Sequence, residues 1–323
     1  MTRTDDAMDV ITLGESMVRF TPKGHLRLDQ AQELEAIPGG AESNVAVGLA
    51  RLGMQAGWIS KLPDHPLARL IVGEVRRHGV DTSRVVWSPE GRVGIYYFER
   101  GVAPRPPRIW YDRKGSAVTT LEDGEVDWTY LTSARVVLVT GITPALSPRL
   151  RDLTRRIARE VRAAGKQFAL DVNYRAKLWS PQEAATCLAD LLPSVGILLC
   201  GRDDAARVFG LTGEPEAVAR AFREKFGVPV VVLTLGAQGS FALADRVYRQ
   251  RRVHQVEVVD PLGAGDAFAA GFLCGYLADG VQRGLDMGGA MGALACTIVG
   301  DFALVTRAEV EQLLAGEDPE IQR

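Results

Sequence analysis

Short runs of β-branched and apolar residues alternate along the chain with longer stretches in which apolar positions recur every three or four residues. The runs are Val10–Leu13, Gln55–Ser60, Arg135–Thr140, Gln167–Val172, Val195–Leu199 and Val230–Leu235. Each reads as a strand, and the stretches between them read as amphipathic helices. The helical pattern is plainest after Ser147, an N-cap followed by Pro148 at the first helical position. Leu150, Leu153, Ile157 and Val161 share one face, and Gly165 ends the helix. Strands that are apolar almost throughout, alternating with helices, imply an α/β fold with a central, mainly parallel sheet flanked by helices on both faces.

Two segments break this rhythm. Residues 17–40 and 94–118 are richer in Arg, Pro, Tyr and Gly and hold strand-like patches such as Ile95–Glu99 and Arg108–Asp112. They are expected to form a small β-sheet lid over a site; the plainer alternative is a pair of long surface loops. The expected division is a core of residues 1–16, 41–93 and 119–323, with the lid made of 17–40 and 94–118. The acidic tail after Gly316 is expected to be frayed.

Composition narrows the class without choosing a function. Apolar residues make up 46% and charged residues 24% of the 323, as in ordinary globular proteins. A net charge of −2 supplies no general attraction to nucleic acid or anionic membrane. Cys187, Cys200, Cys274 and Cys296 are scattered, without a C-x-x-C pair, which suits a reduced cytoplasm better than a zinc site or a disulfide framework. Met1–Asp9 lacks the apolar region of a signal peptide, and the apolar stretches near 263–278 and 285–299 are too short and too interrupted for membrane spans.

The chemistry concentrates in Val258-Val259-Asp260-Pro261-Leu262-Gly263-Ala264-Gly265-Asp266-Ala267-Phe268. A β-run is expected to end at Asp260, followed by a Gly-rich turn and a helix with Phe268, Phe272 and Tyr276 along one face. Free N–H groups at a helix start, with the helix dipole behind them, attract anionic oxygen, and glycines let the backbone come close to it. Asp266 would repel a bound phosphate unless it worked beside the reacting atoms. In phosphoryl transfer that work is to accept the proton of the attacking hydroxyl while the amides hold charge on the transferred group. The plainer reading makes Asp266 a favourable first-turn acid. A P-loop enzyme is excluded because G-x-x-x-x-G-K-[ST] is absent. A dinucleotide fingerprint fails because Phe268 stands where its third glycine belongs.

These residues resemble a known family. Asp260-Pro-Leu-Gly-Ala-Gly-Asp266-Ala-Phe268 is similar to the C-terminal signature of the PfkB (ribokinase) sugar kinases. Gly39-Gly40-Ala41-Glu42-Ser43-Asn44-Val45-Ala46, before a helix ending at Gly53, is similar to the N-terminal one. The resemblance runs from about Val10 to Leu314. Within the family the chain looks most like 2-keto-3-deoxygluconate kinases, through Gly14-Glu15, Gly40–Asn44, Trp110–Ala117, Gly141–Pro148 and Asp171-Val-Asn173-Tyr-Arg175. The resemblance implies a Rossmann-like ribokinase fold with a β-sheet lid that often carries a dimer contact, and hence a homo-oligomer. It implies ATP and Mg²⁺, and leaves a monovalent cation such as K⁺ open.

For the acceptor, Arg113 and Arg175 can each fork onto a carboxylate or keto oxygen. Tyr96 and Tyr111 offer apolar faces with a hydroxyl tip, Gly40 allows close backbone approach, and Asn44 can bond sugar hydroxyls. Glu15 and Asp301 join this expected set. For ATP, Thr234, Gly236 and Gly239 resemble the strand and turn that line the nucleotide pocket, with Gly263 and Gly265 at the phosphates. Gly263, Ala264 and Gly265 would stabilise the phosphoryl group in transit to a hydroxyl activated by Asp266. The family's N-x-x-E element aligns with Gly201-Arg202-Asp203-Asp204, with Gly in place of Asn and Asp204 in place of Glu. No direct metal ligand is expected, but Asp203 and Asp204 could act on Mg²⁺ through water. The alternatives are a fructokinase or ribokinase-type kinase of a neutral sugar, and a sugar- or nucleotide-binding regulator without turnover.

Overall fold

The fold was analysed in a computed structural model that describes residues 8–316. The tail after Gly316, expected to be frayed, lies outside the described residues. In chain order the strands are β1 Val10–Leu13, β2 Met17–Pro22, β3 Leu34–Gly39, β4 Ala56–Ile59, β5 Lys61–Pro63, β6 Val86–Ser88, β7 Ile95–Glu99 and β8 Arg108–Asp112. They continue with β9 Val136–Thr140, β10 Gln167–Asp171, β11 Ile197–Gly201, β12 Val230–Thr234, β13 Ser240–Leu243 and β14 Val247–Arg249.

Eight of these form the central sheet, in the order β14-β13-β12-β11-β10-β9-β1-β4. Every pair from β4 to β12 is parallel, while β13 and β14 are added antiparallel at one edge. Strand alternation supplies a core on each face. In β9, Val137 and Val139 pack with Leu150, Leu153 and Ile157 on one side, and Val136 and Leu138 pack with Phe268, Phe272 and Met291 on the other. The helix Pro148–Ala163 follows the reading of its sequence: Ser147 Oγ accepts the Leu150 N–H at 3.1 Å, and all four apolar residues of its expected face are buried.

The segments that break the αβ rhythm supply β2, β3, β7 and β8, a separate four-stranded sheet in the order β3-β2-β7-β8. It stands at the carboxyl ends of the parallel strands, where open α/β sheets place their ligands. Phe268, Phe272 and Tyr276 stack in sequence along the helix Ala264–Ala295, which is interrupted at Asp279 and Gly280.

One expected element is absent. The valine run before Asp260 is not a strand: residues 252–262 are irregular, and Val258 and Val259 are 56% and 48% exposed. The β-branched residues keep the chain extended, but no strand edge is there to pair with it. The N–H groups of Val259 and Asp260 instead both reach the carbonyl of Cys296, at 2.8 and 3.2 Å.

Candidate active site

The helix Ala264–Ala295 begins where two cavities meet. Gly263, at φ 78°, caps it, and the first-turn amides follow. The left-handed backbone and a close approach both require glycine there, since a Cβ would stand 2.1 Å from the Asp301 carbonyl oxygen. Leu262, Gly263 and Asp266 face one cavity, of about 80 Å³. Ala264, Gly265 and Phe268 face another, of about 420 Å³. A single helical turn is the wall between them.

The smaller cavity gathers Glu15, Gly40, Asn44, Tyr96, Tyr111, Arg113, Arg175, Asp266 and Asp301, the whole of the expected acceptor set. They come from the loop after β1, the start of the helix Ala41–Arg51, β7, the end of β8, the loop after β10 and the segment after Gly300. Beyond Tyr111, Arg113 and Arg175 a wider cavity of about 570 Å³ opens toward Lys114 and Lys177.

Within this cavity several side chains are already committed to one another. Arg113 is paired with Glu15, its Nε donating to Oε2 at 2.7 Å, so the forked partner of this buried arginine is a residue of the chain itself. The Tyr96 hydroxyl donates to Asp301, and burial together with the Asp301 charge holds the Tyr96 phenol well above its ordinary pKa. Asn44 accepts the Gly40 N–H at 3.1 Å and donates to Asp266 Oδ2 at 2.7 Å, which turns its amide toward the carboxylate. The close approach at Gly40 is likewise internal, since a Cβ would meet the Glu15 carbonyl oxygen at 2.1 Å. Arg175, by contrast, is exposed, and its side chain makes no hydrogen bond or ion pair among the described residues.

Asp266 is buried, and burial pushes its carboxyl up to about 7, against the Asn44 hydrogen bond and the Arg175 charge, which pull it down. A carboxyl poised there can take a proton near neutrality. Asn173 Nδ2 lies 3.5 Å from Asp266 Oδ1. It is the one non-glycine residue with a positive φ (37°) among the described residues, and its N–H is tied to Asp171 Oδ1 at 3.2 Å. Burial and the charges of Asp266 and Asp204 push the Asp171 carboxyl up to about 8.

The larger cavity is lined by Thr234, Gly236 and Gly239, all three expected on the ATP side, and by Val253, His254, Val258, Gly289, Gly292 and Cys296. Asp204 is not in its lining. Its Oδ2 accepts the Tyr174 N–H at 3.1 Å. Asp203 is exposed in the same first turn of the helix Arg202–Phe209. Among the described residues no group of three or more His, Cys, Asp or Glu side chains is placed to hold a metal ion directly.

Sequence reasoning missed several residues of this region. Asn173 and Asp171 belong to a stretch that carried the family resemblance, but neither was given a role. Glu42, in the N-terminal signature, is a buried carboxyl whose Oε1 accepts from Thr140 N, Thr140 Oγ1 and Thr143 Oγ1 at 2.9, 2.7 and 2.8 Å. Arg19 is fully buried and pairs with Asp260 and Asp301. Nothing in the local pattern around Arg19 marks it, and the signature that holds Glu42 does not show its buried partners, because the partners of both residues are far away in the chain.

Comparison with known proteins shows which family the chain belongs to. The family described as pfkB family carbohydrate kinase matches residues 7–304. A 2-dehydro-3-deoxygalactonokinase of Haloferax volcanii is 40% identical, covering 98% of this chain and 99% of its own. A 2-dehydro-3-deoxygluconokinase of Bacillus subtilis is 35% identical, with 96% of each covered. The crystal structure of a 2-dehydro-3-deoxygluconokinase from Thermotoga maritima superposes with a TM-score of 0.91 at 31% identity, over 96% of this chain and 99% of that one.

Proposed function

The chain belongs to the pfkB family of carbohydrate kinases, and from that premise we propose that it transfers the γ-phosphoryl group of ATP to the terminal hydroxyl of a sugar acid. The acid we name is 2-keto-3-deoxygluconate, giving 2-keto-3-deoxy-6-phosphogluconate. The observation that carries this reading is the shared wall: one helical turn presents Asp266 to the smaller cavity and Ala264 and Gly265 to the larger one. A hydroxyl on one side and a phosphate on the other would meet across the same amides.

In this reading the acceptor lies beneath the small sheet, which acts as a lid and keeps water from the phosphoryl group. Arg175, whose side chain is exposed at the mouth of the cavity without a hydrogen bond or ion pair among the described residues, takes the carboxylate, with Tyr111 beside it. The Arg113–Glu15 pair and the Tyr96–Asp301 bond form a polar wall for the hydroxyls. Asn44 orients Asp266, which takes the proton of the attacking hydroxyl. The free N–H groups of Gly263, Ala264 and Gly265 hold the charge that develops on the phosphoryl oxygens.

Mg²⁺ would draw charge off the ATP phosphates. The residues fit such an ion through water: the charges of Asp266 and Asp204 add to burial in raising the Asp171 carboxyl, a crowding of negative charge that a nearby cation relieves. Asp203 and Asp204 are the side chains that would hold its water shell. The cysteines are all free and no helix of the described residues is long and apolar enough to cross a membrane; we place the enzyme in the cytoplasm. We also propose a homo-oligomer, joined through the outer face of the lid, where Trp110 and Leu34 are exposed.

The test is ADP release with Mg²⁺ on 2-keto-3-deoxygluconate, its galacto epimer, fructose and ribose, with and without K⁺, and with Asp266→Ala as control. Preference for the acids, lost in the variant, supports the reading. Preference for fructose or ribose removes the carboxylate role of Arg175 and leaves a kinase of neutral sugars. The K⁺ arm decides whether a monovalent cation belongs among the cofactors.

A further inference from the structure

We propose that Arg19 is a positioning residue for phosphoryl transfer, holding the turn before the helix Ala264–Ala295 to the small sheet with a single guanidinium. The inference rests on the kinase reading above and concerns a residue that touches neither acceptor nor nucleotide.

Arg19 sits in β2, paired in register with Ile37 of β3 and Tyr96 of β7, and no part of it reaches solvent. One guanidinium nitrogen donates to Asp260 Oδ2 at 2.7 Å and the other to Asp301 Oδ1 at 2.9 Å. Its Cζ lies 4.2 Å from the centre of the Phe98 ring. Each carboxylate carries the tie further. Asp260 accepts the N–H of Leu262 through Oδ1 and that of Gly300 through Oδ2, both at 3.2 Å. Asp301 accepts the Tyr96 hydroxyl, and its carbonyl oxygen packs against Gly263. An unbroken series of contacts therefore runs from the sheet over the acceptor, through Arg19, into the turn from which Asp266 and the first amides project.

A guanidinium suits this place for two reasons. Two buried carboxylates behind amides that receive a phosphate would oppose the anion unless balanced, and Arg19 is the cation bonded to both. Its planar fork also reaches two acceptors in fixed directions, whereas a lysine ammonium concentrates its charge at one point. Arg19 lines neither cavity, so its loss should act on the geometry of transfer more than on binding.

The experiment measures kcat, KM for ATP and for the acceptor, and melting temperature in Arg19→Lys and Arg19→Met, with and without millimolar guanidinium chloride. Arg19→Lys is expected to stay folded at the assay temperature, with kcat lowered about 100-fold, as for a misplaced reacting group. Both KM values should stay within about threefold of the parent, because uniform binding is untouched. Guanidinium should restore about tenfold of the lost kcat in Arg19→Met in a saturable manner, which a loss of folding alone would not give. An Arg19→Lys enzyme within about twofold of the parent kcat overturns the proposal. A loss that follows the folded fraction and does not respond to guanidinium overturns it as well. Parent turnover and its loss in Asp266→Asn are read in the same assay, so a failure of the kinase reading shows there, apart from the behaviour of Arg19.

Discussion

The two sides of the shared helical turn are built by different means. On the side of the smaller cavity, charged and polar side chains from distant parts of the chain are locked in pairs, Glu15 with Arg113, Tyr96 with Asp301, and Asn44 with Asp266. On the side of the larger cavity, Thr234 and five glycines share the lining with apolar residues such as Val253, Val258 and Phe268. The first construction fixes directions, which suits discrimination among hydroxyls. The second lets a phosphate chain approach the main chain, a demand that varies little from one acceptor to another.

The junction is where this division can be broken most severely. Gly263→Ala puts a methyl against the Asp301 carbonyl and strains a backbone at φ 78°. It is expected to lower kcat by about 100-fold or more by displacing the first turn. Steady-state kinetics with both substrates measures this; a loss confined to the KM for ATP would assign Gly263 to the nucleotide side alone. A smaller and one-sided effect is expected from Arg175→Met. Removing a charge-assisted hydrogen bond should raise KM for the acid about 10- to 100-fold and leave KM for ATP nearly unchanged. Equal effects on both substrates would erase the contrast between the two sides.

The smallest effect is on stability. The folded protein keeps Asp171 protonated up to about 8, whereas an unfolded aspartate ionises near 3.9. The native state then binds the extra proton across this window, and stability falls as pH rises through it. Asp171→Asn removes that loss, so its melting temperature should exceed the parent's by about 3 °C at pH 8.5 and match it near pH 4. Thermal scans at the two pH values measure the difference.

The same contrast decides what could be read from the sequence. The alternation of strands and helices, the two segments of the small sheet and the helix after Ser147 follow from local periodicity and caps, and the structure has them. The turn between the two cavities could be singled out because its residues, Gly263 to Asp266, are contiguous. On the acceptor side the residue types were readable but their partners were not. Arg113 and Glu15 are separated by 98 positions and Arg19 and Asp301 by 282, so no window of sequence contains either pair. The valine run before Asp260 misled for a related reason: its residues favour an extended chain, but whether that chain becomes a strand depends on a partner edge that only the fold supplies.

Asp266 as the base is the claim on which both sides depend, and the pH dependence of kcat in the parent and in Asp266→Asn tests it most directly. A carboxyl held at about 7 by burial must lose its proton to act, so parent kcat should fall with a slope approaching tenfold per unit as pH drops below about 7 and level off above it. Asp266→Asn should be about 100- to 10,000-fold slower on the plateau, without that limb. A variant that keeps the parent's limb, or stays within about tenfold of its plateau, would contradict the assignment of the base.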